Sequence, residues 1–204
     1  LRRETLDVSA EVRHALESCR GPLEAGRHQV AVDLPQEPLN VVADRVRLEQ
    51  ILENIILNAV KYTDPGGRIQ VSAHAELSDV VIRVRDNGIG IPPDKLQQVW
   101  DLFVQVDESP DRTRKGLGIG LALVRDLVKR HGGLVEAHSE GLGQGSTFTV
   151  RLPRARRADV AREAPAAPAQ AAAHHQGERR VLIVDDNLDA AETLAMMLQL
   201  LGQQ

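Results

Sequence analysis

The chain has 204 residues, 42% hydrophobic, 26% charged and only 2% aromatic, with a formal net charge of −4. That length holds one good core plus something smaller. The scarcity of aromatics leaves the core to Leu, Ile, Val and Ala, and the negative balance argues against a nucleic-acid binder working by bulk electrostatics. The single cysteine, Cys19, excludes an internal disulfide. No apolar run approaches the ~20 residues that span a bilayer, and the opening residues do not read as a secretory leader. The first residue is Leu and the last ones read like the middle of a helix, so a piece of a longer protein is expected.

Residues 6–26 carry Leu6, Val8, Val12, Ala15, Leu16 and Cys19 along one side and predict an amphipathic helix, weakened near its end by Pro22. HQVAVDL (28–34) alternates as a strand does, and LNVVA (39–43) is a second short one. Asp44 suits the N-cap of a long helix over 45–62, whose apolar stripe is Leu48, Ile51, Leu52, Ile55 and Ala59. After the turn Asp64-Pro65-Gly66-Gly67, residues 68–77 and 79–87 predict two strands in an antiparallel hairpin turning near Ser78-Asp79. A short helix at 93–100 leads into a polar stretch, 104–115. A second long helix is expected over 118–131, stopped at His131-Gly132-Gly133. Strands at 134–139 and 146–152 close the region. This interleaving predicts an α/β fold, a two-layer sandwich with helices on one face of a mixed sheet. Residues 154–178 are rich in Ala, Pro and Arg and read as a linker. RRVLIVDDN (179–187) then reads as a buried strand ending in two acids, with a helix-like segment after it.

Three islands carry chemistry: NIILNAVKYT (54–63), DNGIGIP (86–92) and GLGIGLALV (116–124). Asn54, Asn58 and Lys61, spaced i, i+4, i+7, share the helix face opposite the apolar stripe. Amides there suit a hydrated Mg²⁺, and Lys61 and Tyr62 suit phosphate oxygens; the bland alternative is a solvated helix face. Asp86 ends a strand, where an acid accepts a hydrogen bond from an exocyclic amine, while Gly88 and Gly90 let the backbone approach a flat ring. Asp-Asn-Gly is also ordinary turn chemistry. Gly116-Leu117-Gly118-Ile119-Gly120 opens a helix, whose free N–H groups and dipole suit phosphate. Arg112, Arg114 and Lys115 precede it in a stretch that reads as a lid; the alternative is a hinge. Two rival nucleotide motifs are excluded: no Gly-Lys pair occurs, hence no G-x-x-x-x-G-K-[ST] loop, and Leu121 stands where G-x-G-x-x-G requires its third glycine.

Residues 39–153 resemble the catalytic ATP-binding domain of sensor histidine kinases. Asn54–Thr63 is similar to the family's N box, Asp86–Gly90 to its G1 box, Trp100–Gln105 with Phe103 to its F box, and Gly116–Gly120 to its G2 box. Gly143-x-Gly145-Ser146-Thr147-Phe148 matches the last glycine-rich element, near the base. The resemblance implies a Bergerat-type fold that binds ATP with Mg²⁺. Asp86 would read adenine, Asn58 would hold the ion, and Asn54, Lys61 and Tyr62 would line the phosphate side. The segment Arg112–Gly120 would close on the phosphates, with Lys115 where the family often has Gly. Related gyrase-type, mismatch-repair and heat-shock ATPases carry a Glu general base one turn before the metal Asn. Here that place is Asn54, and Glu53 lies about 100° away around the helix. A phosphodonor domain is therefore expected, rather than a hydrolysing ATPase or a degenerate interaction module.

None of the seven histidines has the family's H-E-x-x-x-P-like acceptor context. The phosphoacceptor hairpin is expected outside the chain, as is a homodimer built on it. Val181–Asn187 resembles the first strand of a response-regulator receiver domain, in which Asp185 and Asp186 would bind Mg²⁺. The expected organisation is a lead-in over 1–38, the ATP-binding domain over 39–153, a linker over 154–178 and a receiver fragment over 179–204. The expected parent is a hybrid bacterial kinase, cytoplasmic in this part, with an inner-membrane anchor elsewhere in the full-length protein left open. It would pass phosphate to its own receiver or to a response regulator, with no nucleic-acid partner and no membrane contact by this part.

Overall fold

A computed structural model describes residues 1–104 and 118–155. The chain divides into two units, 1–164 and 165–204, and the described residues all lie in the first.

The N-terminal segment is not one helix. Glu4–Asp7 is a strand, β1, followed by α1 (Val8–Ser18) and α2 (Arg20–Ala25). Asp7 sets the first break. Its backbone is extended, and its carboxylate accepts the N–H groups of Ser9 and Leu39, both at 3.0 Å, so it caps α1 and pins the chain that returns beside it. Pro22 sets the second. It has no N–H to continue α1, yet it is tolerated in the first turn of a new helix, where that donor has no partner anyway. Leu6 thus lies in a strand, paired with Val41.

β2 (Gln29–Asp33) and β3 (Asn40–Ala43) match the two strands read from the sequence. β1 and β3 form a separate antiparallel pair. α3 (Arg45–Tyr62) is capped as expected by Asp44, whose Oδ1 accepts the Arg47 N–H at 3.2 Å. Its buried stripe includes Ile56 beside the five predicted residues.

The main sheet is mixed and five-stranded, in the order β2-β4-β5-β7-β6. It comprises β4 (Arg68–Glu76), β5 (Asp79–Asp86), β6 (Leu134–His138) and β7 (Thr147–Pro153) with β2, which runs parallel to β4 while every other neighbour is antiparallel. Glu76 opposite Asp79 fixes a two-residue turn at Leu77-Ser78, one residue earlier than expected, with Leu77 at φ 50°. Ile69, Val71, Ala73, Val80, Ile82, Val84, Val150 and Leu152 face the helices and are buried with α1 and α3. The opposite face of the sheet carries Arg68, Gln70, Arg83, Arg85 and Arg151. The two-layer α/β sandwich read from the alternation is therefore the observed fold.

Two local expectations fail for backbone reasons. Instead of a helix at 93–100 there are two 3₁₀ turns, Pro93–Lys95 and Gln98–Trp100, closed by i→i+3 bonds from Lys95 to Pro92 and from Asp101 to Gln98. The last helix, α4, starts at Gly120 rather than 118, because Gly118 has φ +66° and cannot open a right-handed helix. It ends at Arg130 as the sequence implies. Gly132 turns left-handed, and the Gly132 and Gly133 N–H groups bond the carbonyls of Lys129 and Val128 in a Schellman arrangement. The buried His131 ties α4 to α3: its Nδ1 donates to the Leu127 carbonyl at 2.7 Å and its Nε2 accepts the Asp44 N–H at 3.1 Å. No helix among the described residues is long and apolar enough to cross a membrane.

Candidate functional site

A cavity of about 520 Å³ opens between α3, the end of β5, the start of β7 and the start of α4. The α3 wall is a single helical row, Gln50, Asn54, Leu57, Asn58 and Lys61, with Tyr62 at its end. These residues recur at i+3 and i+4 and point away from the stripe that α3 buries in the core. Asn54 is held by its Nδ2, which donates to the Gln50 carbonyl at 2.8 Å. A Cβ on Gly120 would come within 2.7 Å of Asn54 Oδ1, so glycine here lets α4 start against the amide. Asn58 presents an amide with no hydrogen-bond partner among the described residues. Lys61 donates from Nζ to the Tyr62 hydroxyl at 3.0 Å.

Asp86 stands at the end of β5 and is 4% exposed. Its Oδ1 accepts the N–H of Gly88 at 2.9 Å and of Ser146 at 3.2 Å, and its Oδ2 accepts the Ser146 hydroxyl at 2.5 Å. The carboxylate is thereby fixed in one orientation at the apolar end of the cavity, beside Ile89, Ile91, Val99 and Phe148. Trp100 packs edge-on against Phe148, centroids 6.0 Å apart at 85°. A single oriented acceptor in an apolar slot selects a flat ligand bearing an amine. Asp86 is the only acidic residue among the described residues of this wall. Glu53 does not line it. It lies near Cys19, whose thiol is pushed up to about 11 by burial first and by the charge of Glu53 second.

The cavity thus brings together Asn54, Asn58, Lys61, Tyr62, Asp86, Gly90, Gly118, Gly120 and Leu121 of the predicted residues. Three others lie outside its wall. Gly88 faces protein, not a ligand: a Cβ there would meet the Tyr62 carbonyl oxygen at 2.1 Å. Gly90 is in the wall, but its φ of +71° serves a similar contact, with the Gly141 carbonyl at 2.0 Å from a Cβ. Phe103 is 72% exposed, in a left-handed conformation (φ 66°) fixed by its N–H bond to the Gly118 carbonyl, and Val104 lines the cavity instead. Thr147 pairs with Arg85 and His138 on the open face of the sheet. Its neighbours Ser146 and Phe148 line the cavity, as the period of two dictates. That alternation was the signal for Ser146, and the helical repeat was the signal for Gln50 and Leu57. Arg112, Lys115, Gly116 and Leu117 lie outside the described residues, as do Asp185 and Asp186.

Residues 43–156, more than half of the chain, match the family described as Histidine kinase-, DNA gyrase B-, and HSP90-like ATPase. The chain belongs to this family. Within this ATPase family it is similar to sensor histidine kinases. Sensor protein SrrB of Staphylococcus aureus is 40% identical over 111 residues, which are 54% of this chain and 19% of that protein. The chain therefore spans about a fifth of the length of the curated relatives it matches. Among solved structures, a mycobacterial sensor histidine kinase, MprB, superposes with a TM-score of 0.64 at 26% identity, covering 74% of this chain and 97% of that one. Full-length ShkA in complex with AMPPNP gives a TM-score of 0.67 at 30% identity, covering 100% of this chain and 40% of that one. The ATP-binding domain of this chain is thus of the histidine-kinase type, on a Bergerat fold.

Proposed function

We propose that the chain is the ATP-binding phosphodonor part of a two-component sensor histidine kinase. It would hold ATP and present the γ-phosphate to a histidine on a dimerisation hairpin outside the chain, for relay to an aspartate of a receiver. One observation carries this reading: among the described residues the cavity wall has a single carboxylate, Asp86, and an amide, Asn54, one turn before Asn58. Hydrolysis needs a base to take a proton from the attacking water. Asp86 is bound up at the apolar end by Gly88 and Ser146, and Glu53 lies near Cys19 instead. Transfer to a side-chain nucleophile asks mainly for positioning and charge neutralisation.

In this reading Asp86 accepts the exocyclic amine of adenine while Ile91, Val99 and Phe148 enclose the ring. Lys61 and Tyr62 take phosphate oxygens; by the family resemblance Arg112, Lys115 and the N–H groups at Gly116–Gly120 would add further phosphate contacts. Mg²⁺ fits the donor set: Asn58 offers a neutral oxygen with no hydrogen-bond partner among the described residues, and this ion keeps most of its waters. Asn58 would hold it, with Asn54 beside it. When bound, the ion neutralises charge on the β- and γ-phosphates. Residues 39–153 would be the ATP-binding domain, 154–178 a linker and 179–204 the start of a receiver with Asp185 and Asp186 as its acidic pair. The parent would then be a homodimeric hybrid kinase working at the cytoplasmic side, with a receiver in cis or a separate response regulator as partner.

The test is Mg²⁺-dependent protection by ATP. At ~100-fold saturation over Kd, ATP is expected to stabilise the protein by about 2.7 kcal/mol, and Asp86→Asn to lose that response. Steady-state hydrolysis is expected far below the roughly 1–100 s⁻¹ typical of kinases, and unchanged in Glu53→Gln. Brisk hydrolysis abolished by Glu53→Gln would establish the hydrolase instead. No response to ATP in either wild type or Asp86→Asn would leave an interaction module.

A further inference from the structure

A second cavity, of about 410 Å³, lies on the open face of the sheet behind the end of β5. It is lined by Gln29, Gly66, Arg68, Gln70, Arg85 and Asn87, with Asp86 shared between the two cavities. Its chemistry is one-sided. Arg68 and Arg85 supply two guanidinium groups. Register places Gln70 opposite Arg85 and Gln29 opposite Arg68, so the two arginines are diagonal neighbours on one face, about 7–8 Å apart at the backbone. That spacing lets two planar forks converge on one anion. Asn87 is clamped to the start of β4: its Oδ1 accepts the Arg68 N–H at 2.7 Å and its own N–H donates to the Arg68 carbonyl at 3.2 Å. With the oxygen engaged, the amide has only its NH₂ donors left to offer. The one acid of the lining, Asp86, sits opposite Ile69 on the core face of the sheet, and Gly88 and Ser146 hold its carboxylate there. Further down the same face Arg151 is neutralised by Glu76 and Glu136. Among the described residues of the lining, no acid plays that part for Arg68 and Arg85.

We propose that this cavity is an anion site, separate from the nucleotide cavity, that takes the phosphate group of a small phosphorylated molecule between Arg68 and Arg85. Donors surround it, the Asp86 carboxylate belongs to the opposite face of the sheet, and its volume exceeds that of a lone phosphate, leaving room for the body of the ligand. The site touches the nucleotide cavity through Asp86-Asn87, so its occupant sits against the strand end that orients Asp86.

The test uses the full chain with the nucleotide cavity first filled by Mg²⁺ and a non-hydrolysable ATP analogue, so it does not depend on what that cavity does. Pyrophosphate and inorganic phosphate are then titrated while backbone amide resonances are followed. Saturable shifts are expected at residues 66–70 and 85–87. Arg68→Gln and Arg85→Gln should each weaken binding ~10-fold, with Arg85→Lys intermediate because the fork is lost but the charge kept. Unchanged melting of the free variants shows that they fold. The proposal is overturned by shifts that never saturate, by saturable shifts confined to residues 118–120, or by either Gln variant binding as wild type. A phosphoserine peptide that binds more tightly than pyrophosphate would overturn the small-molecule assignment.

Discussion

Ser146 shows how much of the cavity depends on a residue whose part is to hold another one in place. Its hydroxyl donates to Asp86 Oδ2 and its N–H to Oδ1, while Gly88 adds a third donor. The carboxylate of Asp86 can then turn neither its plane nor its free lone pair away from the apolar slot. A hydrogen bond to a charged group contributes about 1.5–3 kcal/mol. Ser146→Ala removes one of the three and leaves the backbone donors in place. ATP affinity is expected to fall roughly 10-fold, the lower end of that range. Ser146→Thr, which keeps the hydroxyl, should bind close to wild type. Calorimetric titration with the ATP analogue reads both. Equal affinity in Ser146→Ala would mean that the two backbone N–H groups orient Asp86 by themselves.

At the scale of elements, legibility followed the strength of local signals. α3 was legible end to end because Asp44 caps it and its apolar stripe has no interruption. The β4–β5 hairpin was legible because alternation and turn chemistry agree. Residues 1–26 were not, because Leu6, Val8, Val12 and Ala15 fit a helical stripe whether or not Leu6 belongs to it. Only the long-range pairing of β1 with β3, and the double use of Asp7 as a cap and a tether, breaks the stripe at Val8. In the cavity, Asn54, Asn58, Lys61, Tyr62, Asp86 and the start of α4 were found together, while Gly88, Phe103 and Thr147 were turned away from it by packing and strand alternation, and wall supplied by tertiary packing, such as Val99, carried no motif. The same junction carries a buried ionic pair. Glu11 on α1 is 3% exposed and pairs with Arg45 at the start of α3, which also reaches Glu4 of β1 at 3.2 Å. Burial raises the Glu11 carboxyl above its ordinary value of 4.5, with Arg45 and His14 opposing less strongly. The folded state therefore holds this proton more tightly than the unfolded chain. Its contribution to stability is complete below 4.5 and is lost as pH rises through the raised value. Glu11→Gln lacks this term, so the variant should gain on wild type from pH 4 toward neutrality. Paired urea midpoints across that interval read the difference. A wild type that gains on the variant instead would mean that Arg45 outweighs burial.

For the whole molecule, the question is where the folding unit begins. The family match starts at residue 43 and the motifs at Asn54, which suggests that residues 1–38 are a lead-in that can be spared. Packing argues otherwise. Leu6, Val8, Val12, Ala15, Cys19 and Leu23 are all buried in the same core as Leu48, Ile51, Leu52 and Ile55 of α3. β1 also covers one edge of β3, and Arg154 bridges to β3 at Val41. Burying a large aliphatic side chain contributes about 1.5–3 kcal/mol, so Leu6, Val8, Val12 and Leu23, with Cys19 and Ala15, together amount to roughly 10 kcal/mol. That equals much of the ~5–15 kcal/mol by which a whole domain is stable. Removing residues 1–38 would also leave the apolar stripe of α3 facing water and would strip His14 from Glu49 and Glu11 from Arg45. Residues 39–155 alone are therefore expected to lose cooperative urea unfolding, to bind a hydrophobic dye and to show no protection by ATP, whereas residues 1–155 should unfold in one transition. If residues 39–155 unfold cooperatively within ~2 kcal/mol of the longer chain, α1 is an accessory rather than a wall of the core, and the folding unit begins where the motifs do.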